Sequence, residues 1–378
     1  MSFITTTFGH MKQQPPKADH GRNLVVIGTS DKGNNYELEE FVGSYEQAEK
    51  LFGGGSLLEA YEELVLAGTK YIHLLKIEDN TLDCFVSGLE AISHYPANIV
   101  VPVGIYFDTP EGYECAKKLA EFCSNIGDCI GVMGVVPFSD NGEPMKEFER
   151  KEKESIIEWK NRISSLVREK VNELVDDYSI DKFGDAGMFL NVVFSTVCCF
   201  YGDINRAISG HTIYAGLLSN LPPGISPVNK TLVGVDRLLF DVVNIYTTEA
   251  PLRSLKDVLA DIGFVTFSRF VRSGIAPATA VTMAKKTGLK NVHNVRVLQD
   301  VSWYIKMIGN EMLGEPVYKK AQVLEEKISE YLDDYVSVGI LRSYNFYLKT
   351  NNSDIEVYLD FDFMNTVQIQ DVVIKLAN

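Results

Sequence analysis

A strand that ends in glycine, a lysine and a second glycine are the ingredients of a phosphate cradle, and the sequence brings them together early. Leu24 to Ile27 is a short apolar run rich in β-branched residues, which predicts a buried strand. Gly28 closes it, and Lys32 and Gly33 follow. A P-loop needs Gly-x-x-x-x-Gly-Lys-Ser/Thr, so that the lysine meets the outer phosphates and the hydroxyl holds the metal. Here Lys32 comes before the second glycine, and Asn34 and Asn35 come after it. The dinucleotide pattern Gly-x-Gly-x-x-Gly is absent as well. A phosphate site also wants a helix to begin directly after the loop. The next helix signal is Ser44 with Gln47, a capping box well downstream. The pattern predicts a plain strand-end turn.

Other reactive side chains form no constellation. There is no H-E-x-x-H, no G-x-S-x-G and no EF-hand loop. The histidines (His10, His20, His73, His94, His211, His293) are scattered. His73 falls inside "YIHLL" and reads as a core or interface histidine, while His211 in "SGHTIYAG" suits a helix start. Asp176-Asp177 and Asp333-Asp334 are adjacent on helical segments and point about 100° apart, so they do not converge. Asp360 and Asp362 share a strand face, which reads as the exposed side of a sheet. Six cysteines (Cys84, Cys115, Cys123, Cys129, Cys198, Cys199) form no C-x-x-C pair and read as reduced, buried thiols.

The chain has 378 residues, of which 46% are hydrophobic, enough for two or three cored domains. Acidic residues outnumber basic ones, 51 to 36, and the net charge is −15. Such a surface repels nucleic acid and anionic membranes. No segment reaches the roughly 18 apolar residues that span a bilayer. The first 21 residues lack the apolar region of a secretory signal, so the sequence predicts synthesis in the cytoplasm.

From Leu24 to Ile245, apolar strand runs alternate with amphipathic helices, which argues for an α/β layer domain. A long charged helix is expected over about 146–177, with Ile156, Trp159, Ile163, Leu166, Val171 and Leu174 as its stripe. After about 250 the character changes to α+β. Two amphipathic helices flank Gly314-Glu315-Pro316, the second with Ala321, Leu324, Ile328 and Leu332 on one stripe. Ile355, Val357, Leu359, Phe361 and Phe363 then alternate with mostly polar partners, a half-buried strand. Val367 to Leu376 is a second strand whose apolar phase shifts near Asp371, as at a bulge. At the other end, "SFITTTF" is β-prone and joined to the rest by the polar "GHMKQQPPKADHG". Its few apolar residues, Phe3, Ile4 and Phe8, cannot bury themselves alone. Both chain ends read as strands in search of a sheet.

The order of these segments resembles contractile tail sheath proteins, of contractile-tailed phages and R-type bacteriocins. "LVVIGTSDKGNNYELEEFVGSYEQAEKLFGG" is similar to the family's opening, and "LLEAYEELVLAGTKYIHLLKI" to its next helix and strand. "YAGLLSNLPPGISPVNKTLVGV" is similar to the segment after the central region. "GFVTFSRF", "NVRVLQDVSWYI" and the helix from Gly314 to Gly339 resemble the C-terminal domain. Only a short stretch separates Ile77 from Ala97, where larger sheaths insert outer domains. The family's central region has been likened to subtilisin, but no catalytic Asp, His and Ser motifs stand here in that order.

The resemblance implies a fold of an α/β outer domain followed by an α+β inner domain, with extended N- and C-terminal β-arms that pair with neighbouring subunits. The expected divisions are 1–22 (arm and linker), 23–250 (α/β), 251–363 (α+β, facing the tube) and 364–378 (arm). It implies a structural subunit, without enzymatic activity or cofactor, that stacks in six-membered rings around an inner tail tube protein and contracts. Baseplate and tail terminator proteins are the further implied partners, with no nucleic acid and no membrane insertion. The particle would be a phage tail or a released bacteriocin. The implied N-terminal arm residues are Phe3, Ile4, Thr5, Thr6, Thr7 and Phe8. The C-terminal arm would use Val367, Ile369, Val372, Ile374 and Leu376, against an acceptor strand with Ile355, Val357, Leu359 and Phe361. Lys285, Lys286, Lys319 and Lys320 are the candidates to face the tube. The competing reading is an α/β nucleotide-dependent enzyme that uses the Gly28–Gly33 turn.

Overall fold

The structure is a computed structural model, and it describes residues 2–4, 23–41, 44–140, 142–201, 204–249, 251–285, 287–312, 316–350, 355–364 and 368–376. Strand β1 (Ser2–Ile4) is followed by β2 (Leu24–Gly28), β3 (Leu38–Phe41), α1 (Tyr45–Phe52), α2 (Ser56–Leu66), β4 (Ile72–Lys76) and α3 (Leu82–Ala91). Next come β5 (Ile99–Pro102), α4 (Pro110–Ile126), β6 (Ile130–Gly134), a small hairpin of β7 (Ser139–Asp140) and β8 (Glu143–Pro144), and α5 (Ile156–Asp177). The middle holds β9 (Leu190–Val193), β10 (Thr196–Tyr201), β11 (Ile204–Ser209), α6 (His211–Asn220), β12 (Val235–Leu238) and α7 (Leu255–Asp261). The last part holds β13 (Phe264–Val265), β14 (Phe267–Phe270), β15 (Gly274–Pro277), α8 (Val292–Glu311), α9 (Val317–Ser337), β16 (Leu341–Thr350), β17 (Ile355–Phe363) and β18 (Gln368–Leu376).

The larger sheet runs β13-β9-β6-β5-β2-β4-β3. Every pairing in it is parallel except β3 with β4. Strand β2 explains why its sequence is a continuous apolar run. Leu24 and Val26 face a core with Phe52 of α1, Leu64 of α2 and Tyr214 of α6. Val25 and Ile27 face the opposite core, with Phe85 of α3, Leu119 of α4 and Val167 of α5. A parallel sheet covered by helices on both faces leaves no polar side to its central strands. This is the α/β layer that the alternating segments predict.

Capping sets the helix starts. Gln47 accepts from the Ser44 N–H at 3.2 Å, as the capping box predicts. The charged helix, however, begins at Ile156 and not near 146. Ser155 and Glu158 close a second capping box, with N–H to carboxylate at 2.8 Å and N–H to hydroxyl at 3.2 Å. Lys146–Phe148 is a separate 3-10 turn, and Lys153 at φ 69 breaks any continuation. The buried stripe is Ile163, Val167, Val171 and Leu174, whereas Ile156 is exposed.

The expected boundary at 250 does not divide the layers. Beyond it, β13 adds to the edge of the parallel sheet beside β9, and one continuous core runs from Val25 to Leu376. The sequence signal at 250 marks a change in helix and strand composition, while the sheet still needs that last strand to cover β9.

A second sheet runs β1-β18-β17-β16. Strands β16, β17 and β18 pair antiparallel, and β1 lies parallel to β18. The phase shift read near Asp371 is a slip in register: Leu359 faces Val372 while Phe361 faces Ile369, so β18 holds one extra residue there.

One glycine ties a helix to the preceding loop. A Cβ on Gly112, in the first turn of α4, would stand 1.8 Å from the Tyr106 carbonyl oxygen. Gly112→Ala is expected to cost about 3 kcal/mol, read as a fall in Tm. An unchanged Tm would show that the loop before α4 gives way freely.

Candidate functional site

The second sheet holds both described chain ends, the segments expected to act as arms. Its inner face is made by alternation. Ile355, Val357, Leu359, Phe361 and Phe363 of β17 are all buried, and so are Val372, Ile374 and Leu376 of β18. Register places Val357 opposite Ile374 and Leu359 opposite Val372. The segment expected as an acceptor is a strand, but it is not an edge. Both its sides are occupied, by β16 and by β18 of the same chain. Strand β18 pairs with β17 of the same chain, and β1 lies beside it, with Phe3 opposite Val373 and Ile4 opposite Ile374. Thr5, Thr6, Thr7, Phe8 and Val367 lie outside the described residues.

The outer face is polar and aromatic. Tyr347 and Tyr358 stack across β16 and β17, with ring centroids 4.5 Å apart and an interplanar angle of 6°. Tyr358 donates to Glu356 at 2.7 Å, and Arg342 lies 3.4 Å from Asp362. Asp362 thus belongs to a cross-strand ion pair. Among the described residues no group of three or more His, Cys, Asp or Glu side chains could hold a metal.

The inner face rests on α8 and α9. Asp300 of α8 is buried and accepts from the hydroxyls of Tyr331, at 2.5 Å, and Tyr335, both on α9. Tyr344 of β16 donates to Asp333 at 2.7 Å. Burial, then the Asp300 charge, pushes both phenols far up, so they stay protonated donors.

The lysine candidates do not form a surface. Lys285 pairs with Asp181 at 2.8 Å, and both are exposed. Lys319 is exposed, and Lys286 lies outside the described residues. Lys320 is 4% exposed, which corrects its reading as a tube-facing residue. It stands four residues before Leu324 and eight before Ile328, so helical spacing carries it onto the buried stripe.

The Gly28–Gly33 turn holds two helices together and offers no cradle. The Asp31 N–H bonds to the Gly54 carbonyl at 3.0 Å, and the Lys32 N–H to the Phe52 carbonyl at 2.8 Å. Asp31 also accepts from the Gly54 N–H at 3.0 Å. The amides a phosphate would need are spent on the joint between α1 and α2.

A cleft of about 440 Å³ does lie beyond the carboxyl ends of the parallel strands, lined by Ser56, Glu63, Gly104, Arg206, His211 and Thr212 among others. No sequence motif marks it, because its residues come from α2, the segment after β5, the β7–β8 hairpin region, β11 and α6. Its one arginine is already shared between two glutamates. Glu63 is buried and takes Arg206 Nη2 at 2.7 Å and the Thr212 hydroxyl, and Arg206 Nη1 is 3.3 Å from Glu59. Burial raises the Glu63 pKa, and the Arg206 charge pulls it back. His211 Nε2 lies 3.2 Å from the Pro102 carbonyl, and burial lowers its pKa to about 4. The imidazole is therefore neutral, with Nε2 at the Pro102 carbonyl and Nδ1 buried without a hydrogen-bond partner. His73, in β4, contacts the Tyr95 hydroxyl at 2.5 Å.

The depressed His211 pKa fixes the sign of a pH effect. The unfolded chain takes up a proton near pH 6.5 that the folded chain refuses until about pH 4. Stability is full above 6.5 and falls as pH drops toward 4, by about 1.4 kcal/mol per pH unit at most. His211→Gln is expected to flatten that slope in denaturant titrations at pH 4.5 and 7. An unaltered slope would assign it to other groups.

Among the described residues no helix is long and apolar enough to cross a membrane. No family model matches the sequence, and no curated protein matches it either. Solved structures do. The crystal structure of a sheath tail protein from Desulfitobacterium hafniense superposes with a TM-score of 0.62 at 8% identity, covering 98% of this chain and 100% of that one. The sheath tail protein Lin1278 from Listeria innocua gives 0.63 at 8% identity, with 95% of each chain covered. The helical sheath of the anti-feeding prophage in its contracted state gives 0.59 at 13% identity, covering 92% and 90%. Over nearly its whole length, the chain has the fold of contractile tail sheath proteins.

Proposed function

We propose that this chain is the structural subunit of a contractile tail sheath, which stacks in six-fold rings around an inner tube and contracts to drive the tube through a cell envelope. The fold it shares with sheath proteins supports this reading. The observation that carries it is the second sheet. Both described chain ends lie there side by side, on one flank of β17.

Strand β18 cannot simply leave. Burial of Val372, Ile374 and Leu376 contributes roughly 1.5–3 kcal/mol each, a sum comparable with the net stability of a domain. An identical strand from a neighbour restores every one of those contacts at no net loss, which is the logic of domain swapping. Main-chain hydrogen bonds give such a joint strength, and the alternating pockets give it register. In a sheath, β1 and β18 of each subunit complete the sheets of adjacent subunits, and 13–21 is one tether, with 364–366 part of the other. Lys285 and Lys319, being exposed, suit a weak, breakable contact with a tube protein. Baseplate and terminator proteins are the further partners. The enzyme reading gains little from the Gly28–Gly33 turn, where the Thr29, Asp31 and Lys32 amides are already bonded within the chain.

Deleting Ser2 to Gln14 tests this. The truncated chain is expected to keep its circular dichroism and its Tm within a few degrees, and to form no tubes or rings in electron micrographs where the full chain does. Tubes from the truncated chain would sink the arm mechanism.

A further inference from the structure

Two thiols lie together where no sequence motif pairs them. Cys123 stands near the end of α4, and Cys129 directly before β6. Gly127 ends the helix at φ 81, in the left-handed region that favours glycine, and its N–H bonds to the Cys123 carbonyl at 2.8 Å. The chain thereby turns back on itself, and Cys129 comes to rest beside Cys123 with the two sulfurs 3.5 Å apart. The Cys123 thiol donates to Cys129, and the Cys129 thiol points to the Ile130 carbonyl at 4.0 Å. Both are free thiols, and both are wholly buried.

The turn between them is held from outside. Lys306 Nζ of α8 donates to the Ile126 carbonyl at 2.5 Å and lies 3.3 Å from Asp128. Gln299 Nε2 of α8 donates to the Cys129 carbonyl at 2.5 Å. These bonds keep the backbone of the turn in place, and with it the closeness of the two sulfurs. Two thiols in contact can hold a metal or join each other. A structural zinc takes four ligands, and no group of even three candidate ligands exists among the described residues. A disulfide needs the pair alone. Its sulfurs are about 2.05 Å apart, so these two must close by about 1.5 Å.

We infer that Cys123 and Cys129 form a redox site, a dithiol in a reducing compartment and an intrachain disulfide once a hydroperoxide reaches it. The thiolate of one cysteine attacks an oxygen of hydrogen peroxide and breaks the O–O bond. It becomes a sulfenic acid, and the departing hydroxide takes up a proton as water. The second cysteine attacks that sulfur, forms the S–S bond and expels the hydroxyl as a second water. Two thiols and one peroxide give one disulfide and two waters, and the two electrons lost by sulfur reduce the peroxide. Burial first, then the hydrogen bond from Cys123, pushes the Cys129 thiol far up, so Cys129 rests protonated. Reaction therefore waits on a local opening at the end of α4. The oxidation is a property of the single chain. Only its occasion, release of a particle from the cell, rests on the sheath reading.

The test treats the full chain, purified in reductant and then freed of it, with millimolar hydrogen peroxide. Samples are unfolded in guanidinium, alkylated and mapped by mass spectrometry. The peptide that holds Cys123 and Cys129 is expected to become two hydrogens lighter and to take up no alkylating agent, and dithiothreitol should restore both thiols. Cys84, which is half-buried, gives the time the oxidant takes to reach an accessible thiol. Cys123→Ala should abolish the loss of two hydrogens. If that variant does not fold, the map of the wild type decides alone. A pair still fully alkylated after about tenfold the time that Cys84 takes to react overturns the site. So does a disulfide from either cysteine to another position, or an oxidation that dithiothreitol does not reverse. The measurement needs no assembly, so failure of the sheath reading would leave its result intact.

Discussion

Strand β17 is buried along its inner face from Ile355 to Phe363 and needs a partner on each side. Most of the second sheet follows from that requirement. Strand β16 supplies one partner through a short link in the chain. The other place is taken by β18, the last described strand, and β18 is flanked in turn by the first, β1. A site that must be filled, and that the extreme end of the chain fills, is a site any copy of the chain can fill. The apolar side chains that make β18 indispensable to β17 leave open which copy it comes from.

That freedom would be of little use on a soft body. The doubly wound sheet, with cores on both faces, supplies a stiff one. Helix α8 meets both this layer and the helix beneath the second sheet: Lys306 donates to the Ile126 carbonyl at the end of α4, and Asp300 gathers two tyrosines of α9. Stiffness sits in the packed layers. The cleft beside β5 fits the same division. Its buried Glu63 and Arg206 satisfy each other and tie α2 to β11, so the charges there serve packing.

Much of this was legible in the sequence. The run Leu24–Ile27 and the alternation Ile355–Phe363 carry their burial in their spacing, because a two-sided strand and a half-buried one leave different apolar periods. The shift near Asp371 told of the extra residue in β18. The start of α5 was misplaced because charged residues before Ser155 suit a helix by propensity, and the capping box that stops them was overlooked. Lys320 reads as surface by residue type alone, while its spacing to Leu324 and Ile328 carries it onto the buried stripe. The bonds from Lys306, Gln299 and Arg296 to the Ile126, Cys129 and Leu221 carbonyls left almost no signal. Their partners are backbone carbonyls, which no sequence pattern reports.

The central claim is that β18 and β17 of different subunits pair in the assembly. Glu356 and Lys375 face each other across these strands. Two variants, Glu356→Cys and Lys375→Cys, would be co-assembled from separate chains and mildly oxidised, so that a disulfide between the new positions can join only different subunits. The account predicts covalent dimers linked through positions 356 and 375. Assembled tubes in which no such link forms, while a single chain with both substitutions cross-links internally, would show that each subunit keeps its own β18 and would contradict it.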